Sequence, residues 1–219
     1  MKKIIQLFLL TFAIFTIGCS CSYNSIQGNG NEITKTFNVD EFELIDASNA
    51  FEIEVLVGES QSVKVSTDEN IMEYVKVFVK GNKLYLGMES GHSYNENVKA
   101  TISVESLKGI DLSGACKIDV KNIDATQFNV DVSGACKGKL SGKVTNLNMD
   151  LSGATKLNTV DLIAQNLNID MSGASKLDVH CENELKVEAS GASKINVYGD
   201  PKSSKTDFSG ASSISYKWF

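Results

Sequence analysis

The chain contains no arginine, a single proline at position 201 and only two histidines, His92 and His180, among 219 residues. Without arginine there is no planar, bidentate donor for phosphate or carboxylate, so anion capture would rest on lysines acting as isolated point charges. The charge balance points the same way. Twenty-one lysines face 27 acidic residues, a formal charge of −6, and an acidic chain does not seek nucleic acid. With two histidines far apart in sequence, bases that titrate near neutral pH are scarce. His92, in the polar stretch ESGHSYNENVK, and His180 each read as a surface or loop histidine rather than a catalyst. Cysteine is sparse and unpatterned. Beyond Cys19 and Cys21 the chain carries Cys116, Cys136 and Cys181, an odd set with no C-x-x-C spacing, which is neither a zinc site nor a disulfide framework.

The first feature that is present is an export signal. Lys2 and Lys3 precede the apolar run IIQLFLLTFAIFTIG, which stops at Cys19 and is too short and wrongly flanked for a stable membrane span. Thr16, Ile17 and Gly18 ahead of Cys19 resemble a relaxed bacterial lipobox. That predicts removal of residues 1–18 and lipidation of Cys19, leaving an outer-membrane lipoprotein of the cell envelope, anchored through its lipid on the periplasmic side or at the cell surface. An ordinary signal peptide cut nearby is the plainer alternative, and Cys21 is the poorer acceptor because Ser20 precedes it. The mature chain would keep 19 lysines against 27 acids, a net of −8. The residues after Cys19, SCSYNS, lack the acidic run that resembles a surface-export signal, which favours the periplasmic side. Residues 19–32 read as a tether and 33–219 as one domain.

Six near-copies of one octapeptide dominate the second half: DLSGACKI, DVSGACKG, DLSGATKL, DMSGASKL, EASGASKI and DFSGASSI. Their serines fall at 113, 133, 152, 172, 190 and 209, a period of 18 to 20 residues, and self-similarity at that period means a solenoid with one coil per repeat. The residues before each corner alternate, as in Phe128, Val130, Val132 and again in Leu167, Ile169, Met171, which is the signature of a strand with one inward face. Alternation resumes after the corner with Ile118 and Val120, Leu177 and Val179, Ile195 and Val197. Each coil therefore has at least two strands joined at S-G-A, where glycine permits a positive φ and alanine leaves room for the turn to close. The fold class expected is all-β, a right-handed parallel β-helix of about 19–20 residues per coil, since left-handed hexapeptide helices keep a stricter 18-residue period.

Residues 106–219 carry the regular repeats, whereas 33–105 read as irregular strands: ITKTFNV, FEIEVLV, SVKVS, YVKVFV, KLYLGM and KATISVESL, with KGNK as a hairpin turn. Within this half, DASNAFEIEV at 46–55 aligns position by position with DLSGACKIDV at 111–120, Asn49 standing where later corners have glycine and Glu52 in the place of Lys117. Asparagine is the next-best residue for a left-handed corner, so a worn coil is expected there. At the other end Tyr216, Trp218 and Phe219 are suited to covering the last open coil.

The lipoprotein-like leader, the opening IQGNGNEITKTFNVDEFELIDASNAFEIEV and the serial SGASK corners together resemble the family described as "putative auto-transporter adhesin, head GIN domain", a domain of unknown function abundant in Bacteroidetes. The resemblance covers residues 26–219. It implies a pectin-lyase-like β-helix, no recognised catalytic residues and a role in adhesion. No literal G-I-N occurs; KINVYG at 194–199 comes nearest.

Stacking the repeats aligns acids two residues before each corner serine (Asp111, Asp131, Asp150, Asp170, Glu188, Asp207) and lysines four after it (Lys117, Lys137, Lys156, Lys176, Lys194), with Ser213 ending the lysine row. Like charges about 5 Å apart in water repel by only about 0.8 kcal/mol, so such ladders are tolerable on a solvated face, the more so if the opposite ladder lies close by. The sharper reading is an array of carboxylates interleaved with Asn129, Asn148 and Asn168 that binds Ca²⁺ or sugar hydroxyls, although no loop focuses oxygen ligands on one point, so no metal site is expected. Six equivalent Ser-Lys pairs argue against one activated nucleophile, and a pectate-lyase mechanism would lack its usual arginine base, so no catalytic residue and no cofactor are expected. Cys116 and Cys136 fall at the same place in consecutive coils, where a disulfide is conceivable but small side chains in a tight ladder fit better. Cys181 reads as a buried thiol.

These observations predict a non-enzymatic envelope lipoprotein presenting a repetitive polar face, through Asp111, Asp131, Asp150, Asp170, Lys117, Lys137, Lys156 and Lys176, to a glycan or envelope protein. A polysaccharide-active lyase or hydrolase of the β-helix class is the alternative. An accessory or sensing protein that binds another protein is a third reading.

Overall fold

The computed structural model describes residues 24–95 and 98–217, and Cys19 lies outside them. In chain order the first half comprises β1 (Asn24–Ile26), β2 (Glu32–Phe37), β3 (Leu44–Ala47), β4 (Phe51–Val57), β5 (Ser62–Asp68), the single helical turn α1 (Glu69–Met72), β6 (Val75–Lys80), β7 (Lys83–Met88), β8 (His92–Tyr94) and β9 (Val98–Val104). The second half comprises β10 (Gly109–Leu112), β11 (Lys117–Gly134), β12 (Lys137–Gly153), β13 (Lys156–Met171), β14 (Lys176–Ala189), β15 (Lys194–Tyr198), β16 (Ser203–Phe208) and β17 (Ser213–Lys217). The second half is a ladder of parallel pairings, each strand bonding to its counterpart one coil away, and the stacked coils form a β-solenoid of about five turns.

The corners set the register. Gly114, Gly134, Gly153, Gly173, Gly191 and Gly210 all have positive φ, between 74° and 101°. The carbonyl of each corner glycine accepts the N–H of the next coil's alanine, as in Ala135 to Gly114 at 2.7 Å and Ala154 to Gly134 at 2.8 Å. A Cβ on Gly134 would sit 2.4 Å from that same Gly114 oxygen, so close stacking as well as φ demands glycine. Asn49 has φ 72° and its carbonyl accepts from Ala115 at 2.7 Å, which makes the expected worn corner a true one. It can carry a side chain because that side of it meets no further corner glycine; its Oδ1 accepts from the Met88 N–H and the Ser48 hydroxyl.

The residue two after each corner glycine seals the turn from inside. Ser175 donates to Gly153 O at 3.3 Å and Ser193 to Gly173 O at 3.5 Å, and Cys136 places its thiol 3.7 Å from Gly114 O in the same way. Cys116, Cys136 and Cys181 are all buried free thiols. Contact with the Cys136 sulfur, together with burial, pushes the Cys116 thiol up. Because serine occupies the equivalent place in later coils, Cys136→Ser is expected to keep stability within about 1 kcal/mol of the parent in chemical denaturation. A larger loss would show that sulfur has a role here that a hydroxyl lacks.

Length variation is absorbed away from the corners. Register shifts fall between Val120 and Ile123, Lys139 and Gly142, Thr159 and Ile163, and Ala164 and Asn166, in the stretch that runs from one S-G-A corner to the next. The inward residues, among them Ile118, Phe128, Leu147, Leu167, Leu177, Leu185 and Ile195, form one continuous core at 2% exposure or less.

The first half departs from simple stacking. β3 pairs in parallel with β10 on one side and β7 on the other, and β4 likewise with β11 and β9. The coil Leu44–Val57 therefore lies between two segments that both follow it in sequence. A parallel partner needs a crossover, and residues 58–95 build the end cap within it: β5 runs antiparallel to β2 and β9, and β6 antiparallel to β7 through the expected turn at Gly81. Part of the stretch read as a tether is docked on this cap. β1 pairs with β8, and Gly30 N–H donates to Asp68 at 2.7 Å.

At the far end β16 and β17 pair on one side only among the described residues. Inward positions turn polar there, Ser204 following Leu185 and Thr206 following Val187. Tyr216 reaches across from β17 to Ser204 at 2.7 Å and supplies the expected cover, while Trp218 and Phe219 lie outside the described residues.

Candidate functional site

The two charged rows form as register requires. Asp46, Asp111, Asp131, Asp150, Asp170, Glu188 and Asp207 stand opposite one another in consecutive strands before the corner. After the corner, Lys117, Lys137, Lys156, Lys176 and Lys194 do the same, ending at Ser213. All five lysines are exposed, and so are the acids from Asp131 to Asp207.

The rows do not neutralise each other. Among the described residues no ion pair joins Asp131, Asp150 or Asp170 to Lys137, Lys156 or Lys176; the pairs that members of the two rows do form are Lys83 with Asp46 and Asp111, Lys117 with Glu52, Lys176 with Asp178 and Lys186 with Glu188. The reason is the corner itself, which sends the two rows onto different faces. Partial burial, then the neighbouring charges of Asp111 and Asp150, hold the Asp131 carboxyl above its ordinary range. A carboxyl raised in the folded state binds more protons than it does unfolded, so its contribution to stability falls as pH rises through that window. Asp131→Asn is therefore expected to raise Tm at pH 7 and to lose that advantage below the ordinary carboxylate value of 3.8. Equal Tm gains at pH 7 and pH 3 would show that the effect is not electrostatic.

Asparagines bind each other rather than pointing ligands outward. Asn148 donates to Asn129 at 3.0 Å, Asn166 to Asn146 at 2.9 Å and Asn183 to Asn166 at 2.8 Å, giving amide chains along the axis beside the acids. Among the described residues no group of three or more His, Cys, Asp or Glu side chains is placed to hold a metal ion. The lysine face carries a shallow cleft of about 580 Å³, in which Lys137, Lys139, Lys156 and Lys176 outnumber Asp119 and Asp178. Lys139, an extra cation on this face, was visible in KGKL but stands outside the repeated motif.

No hydrogen bond joins a corner serine to the lysine four residues later among the described residues, so the Ser-Lys pairs are not assembled. His92 sits on β8 at the cap and His180 on β14 in a distant coil. Neither is in a simple loop: His92 packs against Tyr74 and Tyr94 with ring centroids 5.4 and 6.2 Å away.

Residues 41–201 match the family described as "Putative auto-transporter adhesin, head GIN domain". The chain belongs to this family. Solved structures similar to this head GIN domain include a putative adhesin from Bacteroides fragilis, 20% identical, with a TM-score of 0.71 over 88% of this chain and 100% of that one. A putative adhesin from Parabacteroides merdae, 15% identical, has a TM-score of 0.55 over 89% and 99% of the two chains. A putative lipid binding protein from Parabacteroides distasonis, 18% identical, has a TM-score of 0.55 over 89% and 100%. At these identities the likeness shows the head GIN fold. Comparison with curated proteins gives no match.

Proposed function

We propose that this head GIN domain is a non-enzymatic adhesion module of the bacterial cell envelope, held to the membrane by a lipid on Cys19, that presents its two charged faces to a glycan or an envelope protein. The observation that carries the reading is uniformity. The same acid and the same lysine recur coil after coil on flat sheet faces, whereas an active site needs one coil that differs, with a base oriented toward a nucleophile. The family description and the adhesin-like relatives support the same role. Separation of the rows onto two faces leaves an excess of one sign on each, which favours charged partners and salt-dependent binding.

A glycan-array screen of the chain without its leader, run with lyase and hydrolase assays on the same polysaccharides, tests this. Binding without turnover, weakened by reversing Lys137, Lys156 and Lys176 together, is expected. Turnover abolished by substitution of one acid would replace the binding module with an enzyme. Protease shaving of intact cells decides the orientation: a protected domain is expected for the periplasmic side, and cleavage would place it at the surface.

A further inference from the structure

Beside the first corner, where β8 leans over the coil Leu44–Val57, lies a cleft of about 490 Å³, within the range of small-ligand sites. Its chemistry differs from that of both faces. Ala50, Met88 and Ala115 supply apolar surface, Tyr94 and His92 supply flat rings, and Asn49 and Ser93 supply polar groups, while among the described residues no lysine, aspartate or glutamate lines it. In a chain whose surface is otherwise dominated by charge, this selects for an uncharged ligand.

One of the polar groups is positioned and unused. The Asn49 side chain is fixed by two bonds accepted on Oδ1, from the Met88 N–H at 3.1 Å and the Ser48 hydroxyl at 3.0 Å, and none of the described hydrogen bonds uses its Nδ2. The rings around it are braced. Tyr74 packs 5.6 Å from Tyr94, whose hydroxyl donates to the Glu89 carbonyl at 2.8 Å, and β1 holds β8 in register from the other side. Rigid aromatic faces beside a planar amide and an imidazole match one class of compound in particular. A pyranose ring offers an apolar C–H face for the aromatic surface and neighbouring hydroxyls for directional donors and acceptors.

We propose that this cap cleft is a saccharide-binding site that takes a single uncharged pyranose unit, Tyr94 or His92 lying against the ring and Asn49 Nδ2 bonding one of its hydroxyls. The proposal rests on the glycan reading above and narrows it, placing recognition at the cap rather than along the charged ladders. Asn49 then has a reason to differ from the glycine of every other corner: it is the one corner whose side chain has a cleft to enter.

The test uses methyl glucoside, methyl galactoside, methyl mannoside and N-acetylglucosamine as probes, titrated into the leaderless chain and followed by NMR shifts of the Asn49 side-chain amide and the His92 imidazole. Asn49→Gly keeps a corner that the other coils already use, and Tyr94→Leu removes the flat ring while keeping bulk. Saturable shifts with at least one probe are expected, weakened tenfold or more by either variant at unchanged Tm, with Phe78→Ala, outside the cleft and both ladders, binding like the parent. If array glycans still bind both cleft variants and are lost only on ladder reversal, the cap site is overturned and the glycan reading stands. If neither the probes nor the array glycans bind the parent chain, both fall.

Discussion

Changing Gly142 to alanine is expected to cost about 3 to 5 kcal/mol, a large part of the stability of a domain this size. Gly142 has φ 137°, a region that side chains rarely enter, and a Cβ there would lie 2.0 Å from the Ile123 carbonyl oxygen and 2.5 Å from its nitrogen. Neither atom belongs to a flexible side chain, so relief requires moving one coil against the next and breaking parallel pairing on both sides. Gly81 is the control. It also has positive φ, 67°, but nothing lies within 4 Å of its Cβ direction, so Gly81→Ala should cost only the conformational term of about 1 to 2 kcal/mol. Urea titrations of the two variants separate conformation from stacking. Equal losses would show that coil contact contributes nothing at Gly142.

Phe128→Ala should destabilise by about 3 to 5 kcal/mol. Phe128 is fully buried and occupies an inward row continued by Leu147, Leu167 and Leu185, so the removed ring leaves a cavity bounded by the next coil. The backbone cannot collapse into it, because each strand is held at fixed spacing by neighbours on both sides. Exposed Phe78 on β6 offers the comparison; it is 49% exposed and Phe78→Ala should change stability by under about 1 kcal/mol. A small loss at Phe128 would mean that the core is more plastic than its stacking implies.

The corners were legible in the sequence because the backbone conformation leaves a letter behind: only glycine, or asparagine at Asn49, tolerates that φ, and serine spacing then fixes which side chains face one another. Both ladders followed from that register. Separation of the ladders did not, since a repeat states which residues align and leaves open how sharply the corner turns. Asn129 and Asn148 were picked out as outward ligands, but asparagines in register satisfy each other. The stacking order of the first half was hidden for a different reason. FEIEVLV and KLYLGM alternate as any strand does, and nothing in alternation says which edge a strand joins. The cap cleft draws on Asn49, Met88 and the stretch from His92 to Tyr94, residues that no local pattern unites.

The slack at the register shifts between corners has a consequence for size. Because the S-G-A line alone carries register, and coils of 18, 19 or 20 residues stack equally well on it, the number of coils is free to vary while both ends stay as they are. Excising residues 152–171 would join Leu151 to Ser172 with each ladder intact and shorten the molecule by about 4.8 Å, and duplicating them would lengthen it by the same step. The domain is built as a ruler: its length can be reset in whole coils without redesigning what it carries.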